Sequence, residues 1–231
     1  MKWLLLVRHL ESAKNVRDSF AQSADEDHLT ETGRSEAALV GANIAEFLAF
    51  LRVTRVRVYC SPAPRTNESV SGLCSRLGVQ ARELEGLRSI VVPETAGLSL
   101  SELRLIDPEA ARELNLYRAG LFDTYAMKHV GPLARQLERR VNDALLEILS
   151  APAEAAVVVA HRSALTAALL GIAREAGYYP KEFFGFLPID FGASALIRVS
   201  DRNVSDIVFA NLPTASMNTW GRELALTVGL D

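Results

Sequence analysis

Apolar and polar positions along the chain switch between two periods. Trp3 to Val7 is a continuous apolar run, short enough for a strand buried on both faces. After Thr30, a reasonable N-cap, the residues Val40, Ile44, Phe47, Leu48 and Leu51 recur at helical spacing. Val56, Val58 and Cys60 then alternate with Arg55 and Arg57, which is the period of a strand. A second helical stripe passes through Leu133, Leu137, Val141, Leu145 and Leu149 and stops at Ser150-Ala151-Pro152. Ala155 to Ala160 is again a buried-type strand, and Leu165, Ala168, Leu169 and Ile172 mark a packed helix ending near Gly177. The order is therefore strand, helix, strand, helix, an insert, helix, strand, helix and two late strands. Such alternation predicts an α/β fold in which helices cover both faces of a mostly parallel sheet, with ligands at the carboxyl ends of its strands.

Two of those strand ends carry chemistry. A strand is usually followed by a turn chosen for geometry, but the first one here delivers Arg8-His9 and then Glu11, Ser12 and Asn15. A cation beside a nucleophile-capable imidazole suits anion chemistry. Three further segments follow in order: Leu29-Thr30-Glu31-Thr32-Gly33-Arg34-Ser35-Glu36-Ala37, then Val58-Tyr59-Cys60-Ser61-Pro62-Ala63-Pro64-Arg65, then Ala156-Val157-Val158-Val159-Ala160-His161.

Together these segments resemble the histidine phosphatase superfamily, also called the phosphoglycerate mutase-like family. Its opening pattern, Arg-His-Gly-Glu-Ser/Thr-x-x-Asn, is met by Arg8 to Asn15 at every position except Leu10. The second segment is similar to Leu-Thr-x-x-Gly-x-x-Gln-Ala with Glu36 for Gln, the third to a strand followed by Ser-Pro and an Arg, and the fourth to a strand ending in a second His. The resemblance spans roughly residues 1 to 215. It implies a three-layer α/β/α sandwich, one domain over residues 1–231, with a helical cap inserted at about 88–130 that decides which substrate enters. It also implies metal-independent hydrolysis of a small phosphomonoester. His9 would become a phosphohistidine while Arg8, Arg65 and His161 hold the phosphoryl oxygens. Phosphoryl transfer is mostly positioning and electrostatics, and a guanidinium offers a planar fork that matches phosphate geometry. To attack, His9 needs one unprotonated nitrogen, so its other nitrogen is expected to donate to a fixed acceptor such as a backbone carbonyl.

The residues alone leave plainer readings open. Arg65 could be an ordinary first-turn residue making surface contacts, and His161 a satisfied core histidine. Asn15 could touch substrate or only form a turn, and Ser12 shares that alternative. His28 and His129 match no motif and read as surface or turn residues.

Departures from the family pattern bear on activity. Leu87-Arg88-Ser89-Ile90 stands where the family supplies a general-acid Glu, and Ala96-Gly97 stands at a later Glu-Gly. Glu94 is the expected replacement, since a loop bracketed by Pro93 and Gly97 can bring a carboxylate over the pocket; a solvated loop Glu is the alternative, and Glu85 or Glu83 the next candidates. Leu10 and Arg162 replace glycines beside the two histidines. Leu10 either narrows the site or packs; Arg162 is either an anion clamp or, the favoured reading, a helix-start side chain facing solvent. Without an acid, a catalytically weak phospho-ligand binder of the same fold competes with the enzyme, and a mutase-type phosphotransferase is a further alternative.

Composition narrows the remaining classes. With 231 residues, 49% hydrophobic and 23% charged, the chain can bury a large core and is not of disordered type. A net charge of −3 gives no reason to expect nucleic-acid binding. Cys60 and Cys74 form no metal-ligand pattern, which points to free or packed thiols in a reducing, cytoplasmic setting and to no metal or cofactor. Arg8 interrupts the first apolar run too early for a signal peptide, and no apolar stretch is long enough to span a membrane. The expected partner is a small phosphorylated substrate. Phe183-Phe184-Gly185-Phe186-Leu187-Pro188 reads as core or a homodimer contact, with lining of the entrance as the alternative.

Overall fold

The computed structural model describes residues 2–16, 27–91, 98–120, 123–175, 177, 185, 187–200 and 203–219. Strand β1 (Lys2–Arg8) is followed by a single helical turn, α1 (Ala13–Val16), and by α2 (Glu31–Phe50). Then come β2 (Val56–Cys60), α3 (Pro64–Leu77) and β3 (Ala81–Glu83). The insert contributes α4 (Leu100–Ile106) and α5 (Pro108–Ala119), after which α6 (Gly131–Ser150), β4 (Ala155–Ala160), α7 (Arg162–Glu175), β5 (Ala193–Ser200) and β6 (Asn203–Pro213) complete the order.

Among the described residues the strands form one six-stranded sheet in the order β3-β2-β4-β1-β5-β6. The first four run parallel, and β5 and β6 join antiparallel at the β1 edge. Period-two alternation sends the side chains of each central strand to opposite faces. Leu4, Leu6, Ala156, Val158 and Ala160 pack with α6 and α7, whereas Leu5, Val7, Val58, Val157 and Val159 pack with α2 and α3. This is the expected three-layer sandwich. Its two central strands, β1 and β4, are apolar throughout Trp3–Val7 and Ala155–Ala160, as strands covered on both faces must be.

Local signals place the helices. Thr30 caps α2, its hydroxyl accepting from the Gly33 amide at 3.0 Å. Pro64 opens α3 where a missing amide costs nothing. Helix α4 begins in a capping box between Ser99 and Glu102, and Pro108 opens α5 behind an Asp107 cap. These inserted helices carry a small apolar cluster of their own, in which Leu103, Leu114, Tyr117, Met127 and Val130 meet, with Ile90 and Leu133 packed against it. Tyr125 lies in a short turn at 124–126; Phe122, Phe183, Phe184 and Phe186 fall outside the described residues. No helix among the described residues is long and apolar enough to cross a membrane.

Helices α2 and α3 approach so closely that a Cβ on Gly41 would stand 2.4 Å from the Leu73 amide nitrogen and 2.6 Å from the Gly72 carbonyl carbon. Both obstacles are backbone and cannot swing away. Gly41→Ala is therefore expected to cost about 1–3 kcal/mol through forced separation of the two helices. A urea unfolding midpoint lowered with an unchanged slope would confirm it, and an unchanged midpoint would refute the close packing.

Candidate active site

Parallel register builds the site. Arg8 pairs with Ala160 across β1 and β4, so the next residue of each strand, His9 and His161, emerges at the same level. The His9 amide donates to the Ala160 carbonyl at 2.9 Å, and the two imidazole centroids are 5.3 Å apart at 64°. Strand β2 ends one step away, where the Ser61 amide donates to the Val159 carbonyl at 3.1 Å. Ser61 Oγ then stands 2.8 Å from His161 Nε2.

The turn after β2 swings Arg65 inward in the first turn of α3. Arg65 is only 3% exposed, which removes the surface-contact reading. Its Nη2 lies 3.0 Å from His161 Nδ1, and its Nη1 lies 3.0 Å from Asp27 Oδ2 without the alignment of a hydrogen bond. Burial lowers the Arg65 pKa, Asp27 pulls it back up, and the neighbouring charge of Arg88 lowers it again. Arg8 is held differently: its Nη1 donates to the Ile189 carbonyl at 2.6 Å and its guanidinium lies 3.8 Å from the Phe191 ring centroid. Burial first, then the charge of Arg162, brings the Arg8 pKa down to about 10, which still leaves it cationic at neutral pH. Arg8 Nε is buried with no partner among the described residues, a donor that an anion would use.

The protonation of both imidazoles follows from their neighbours. A backbone carbonyl can only accept, so the 2.7 Å contact between His9 Nδ1 and the Leu10 carbonyl puts the proton on Nδ1 and leaves the Nε2 lone pair available. A guanidinium can only donate, so His161 Nδ1 accepts from Arg65 and Nε2 donates to Ser61. Burial above all, then the positive charge of Arg65, lowers both pKa values well below 6.5. Both rings are thereby held neutral.

Asp27 ties the motifs together. Its carboxylate accepts from the Lys14 amide at 2.9 Å and the Ser12 hydroxyl at 3.0 Å while facing Arg65, and its carbonyl accepts from the Arg65 amide at 3.2 Å. Ser69, one turn beyond Arg65, binds the Leu10 amide at 3.0 Å and so clamps the loop after His9 to α3. Gly33 has a comparable duty: a Cβ there would meet the Glu11 carbonyl oxygen at 2.3 Å, so only glycine lets α2 close on that loop.

Other expected residues fall out as follows. Asn15 is exposed and its side-chain oxygen accepts from the Ser12 amide at 3.2 Å and the Ser12 hydroxyl at 2.7 Å, which is turn formation. Leu10 packs into the apolar layer with α2. Arg162 does not face solvent as favoured: it is half-buried, and its charge is felt at Arg8 and at Tyr117. The reason is α5, whose Tyr117 reaches the first turn of α7 and bonds Ser163. Glu94 lies outside the described residues. Glu83 accepts from Asn67 Nδ2 at 2.7 Å, and Glu85 pairs with Arg88 at 2.6 Å. Ser89 meets Ser163 hydroxyl to hydroxyl at 3.1 Å. His28 pairs with Glu68 at the surface, and His129 sits in a turn 3.9 Å from Asp107. Cys60 and Cys74 are free thiols, and burial pushes Cys60 up to about 12.

Asp27 and Phe191 were missed in the sequence. Asp27 had a signal, being the carboxylate beside the Leu29-Thr30 segment that a buried Arg65 would require, whereas nothing local to Phe191 marks it as a neighbour of Arg8.

Two imidazoles and two guanidinium groups thus gather where neighbouring parallel strands end. The chain belongs to the histidine phosphatase superfamily (branch 1), whose family model matches residues 4–186. Among solved structures it is similar to YhfR of Bacillus stearothermophilus, at 20% identity and a TM-score of 0.71 over 91% of this chain and 97% of that one. It is also similar to a mycobacterial glucosyl-3-phosphoglycerate phosphatase with inorganic phosphate (15% identity, TM-score 0.72, 93% and 99% covered) and to a putative alpha-ribazole-5'-P phosphatase of Escherichia coli (18%, 0.68, 92% and 98%). At these identities the likeness is one of fold. No curated protein sequence matches the chain.

Neutral buried histidines have a signed consequence for stability. As pH falls below 6.5, the unfolded chain takes up protons on these rings that the folded chain refuses, so folding stability is lost on acidification and is fully present above that pH. Each ring is expected to add a slope of up to about 1.4 kcal/mol per pH unit below that point. Urea melts of the wild type and His161→Gln at pH 7 and pH 5 measure it: the variant should lose less stability on acidification, and equal losses would show that His161 titrates freely.

Proposed function

We propose that the chain is a metal-independent phosphomonoesterase that works through a phosphohistidine on His9 Nε2. The observation that carries this reading is the 2.7 Å contact from His9 Nδ1 to the Leu10 carbonyl, which puts the proton on Nδ1 and leaves the other nitrogen of that ring, Nε2, with its lone pair available beside Arg8, Arg65 and His161. The Nε2 lone pair forms a bond to phosphorus as the ester P–O bond breaks, and the electron pair leaves with oxygen. Arg8 and Arg65 stabilise charge on the phosphoryl oxygens, and the Leu10 carbonyl stabilises the positive charge gained by the ring. Among the described carboxylates, Asp27 is engaged by Arg65, Glu83 by Asn67 and Glu85 by Arg88. We take Glu94 as the proton donor to the leaving oxygen, because its loop is bracketed by a stiff Pro93 and a permissive Gly97. Water then attacks phosphorus, the P–N bond breaks with its electrons returning to Nε2, and the proton of water passes to the Glu94 carboxylate.

A second reading is favoured by Ser89, which meets Ser163 where the family pattern has a carboxylate. In that reading the same residues hold a phosphorylated ligand without turning it over. Rapid quench with a ³²P-labelled alkyl phosphate separates the two. The enzyme reading expects an acid-labile, base-stable label on His9 that is absent in His9→Ala, and labelling slowed at least ~10²-fold in Glu94→Gln. Label that survives in His9→Ala would move the nucleophile elsewhere. Ligand binding with no label in the wild type would establish the binder.

A further inference from the structure

We infer that Phe191 is a specificity-determining residue: its ring forms a rigid apolar platform at the rim of the anion pocket that selects phosphate monoesters whose alcohol carries an aromatic group. The inference rests on the anion site described above and assigns the substrate class of that site.

The observations begin with an anomaly of burial. His9, His161 and Arg65 are all buried, yet the large apolar residue beside them, Phe191, remains 39% exposed. Its ring centroid lies 5.9 Å from that of His9, tilted by 42°, and 3.8 Å from the Arg8 guanidinium carbon. A phosphoryl group bridging Arg8 and His9 Nε2 thus has this ring as its neighbour. Aromatic pairs interact with centroids 4.5–7 Å apart. A ring attached one or two bonds beyond the ester oxygen falls within that range.

The platform is held still before any ligand arrives. The Asp190 amide donates to Asn211 Oδ1 at 2.7 Å, the Ala193 amide closes the turn onto the Asp190 carbonyl at 3.1 Å, and the Gly192 amide donates to the Arg8 carbonyl at 3.2 Å. On the near side, the Ile189 carbonyl accepts from Arg8 Nη1. The turn that carries Phe191 is therefore tied to β1 through Gly192 and to β6 through Asp190. A preordered ring loses little entropy when it stacks on a ligand.

Binding probes without an ester bond isolate this contact from turnover. Benzylphosphonate and methylphosphonate carry the same anion and differ in the ring. Calorimetric titration of the wild type is expected to favour benzylphosphonate by ~5–10-fold, the scale of one aromatic pair. Phe191→Ala should abolish that preference while leaving the affinity for methylphosphonate within about twofold, and Phe191→Tyr should restore it. If Phe191 merely positions Arg8, Phe191→Ala weakens both ligands equally, which would overturn the inference. A preference that survives in Phe191→Ala, or equal wild-type affinities, would overturn it as well. Failure of both phosphonates to bind the wild type would instead defeat the anion site itself. A binder that never forms a phosphoenzyme would leave the platform standing and remove only the hydrolytic reading.

Discussion

A guanidinium carried into the protein interior is the constraint on which the rest of the site depends. Arg65 is 3% exposed and its principal counter-ion, Asp27, is 7% exposed, so neither can be solvated by water. A buried pair of this kind contributes little net stability, but removing either partner leaves an uncompensated charge. The consequence is structural: Asp27 must be delivered by the segment before α2, and it arrives already bonded to Ser12 and Lys14 of the loop after His9. One ion pair thereby couples β1, α2 and α3. The same cation sets the state of His161, because Arg65 can only donate and the ring nitrogen facing it can only accept.

The sheet supplies what the charges cannot, namely distance. Two parallel neighbours in register present the residues after their last pairs side by side, so the gap between His9 and His161 is set by strand spacing rather than by side-chain adjustment. Ser61 reaches His161 for the same reason from β2. The hydrogen bonds that hold each ring also leave one nitrogen, His9 Nε2, uncommitted.

How much of this was legible in the sequence differs between elements. The strands and the long helices were, because burial on two faces or one stripe imposes periods that survive without coordinates. Arg8, His9, Arg65 and His161 were legible because each terminates a strand or opens a helix in a pattern that resembles a family. Asn15 was ambiguous for a physical reason: the same amide can bind a ligand or close a turn, and here its oxygen is used by Ser12. The direction of Arg162 could not be read, since it depends on where Tyr117 of α5 comes to lie across about forty-five intervening residues. Phe191 was silent for the same reason, its neighbours Arg8 and His9 being supplied by the opposite end of the chain.

The central claim is that His9 Nε2 faces an anion held by Arg8 and Arg65. A crystal structure of the protein soaked with vanadate tests it most directly, because vanadate takes up the geometry of the phosphoryl group in transfer. The account predicts vanadium bonded to His9 Nε2, Nδ1 still on the Leu10 carbonyl, and equatorial oxygens on both guanidinium groups. Vanadium bonded to any other side chain, or an anion that leaves Arg65 bound only to Asp27 and His161, would contradict it.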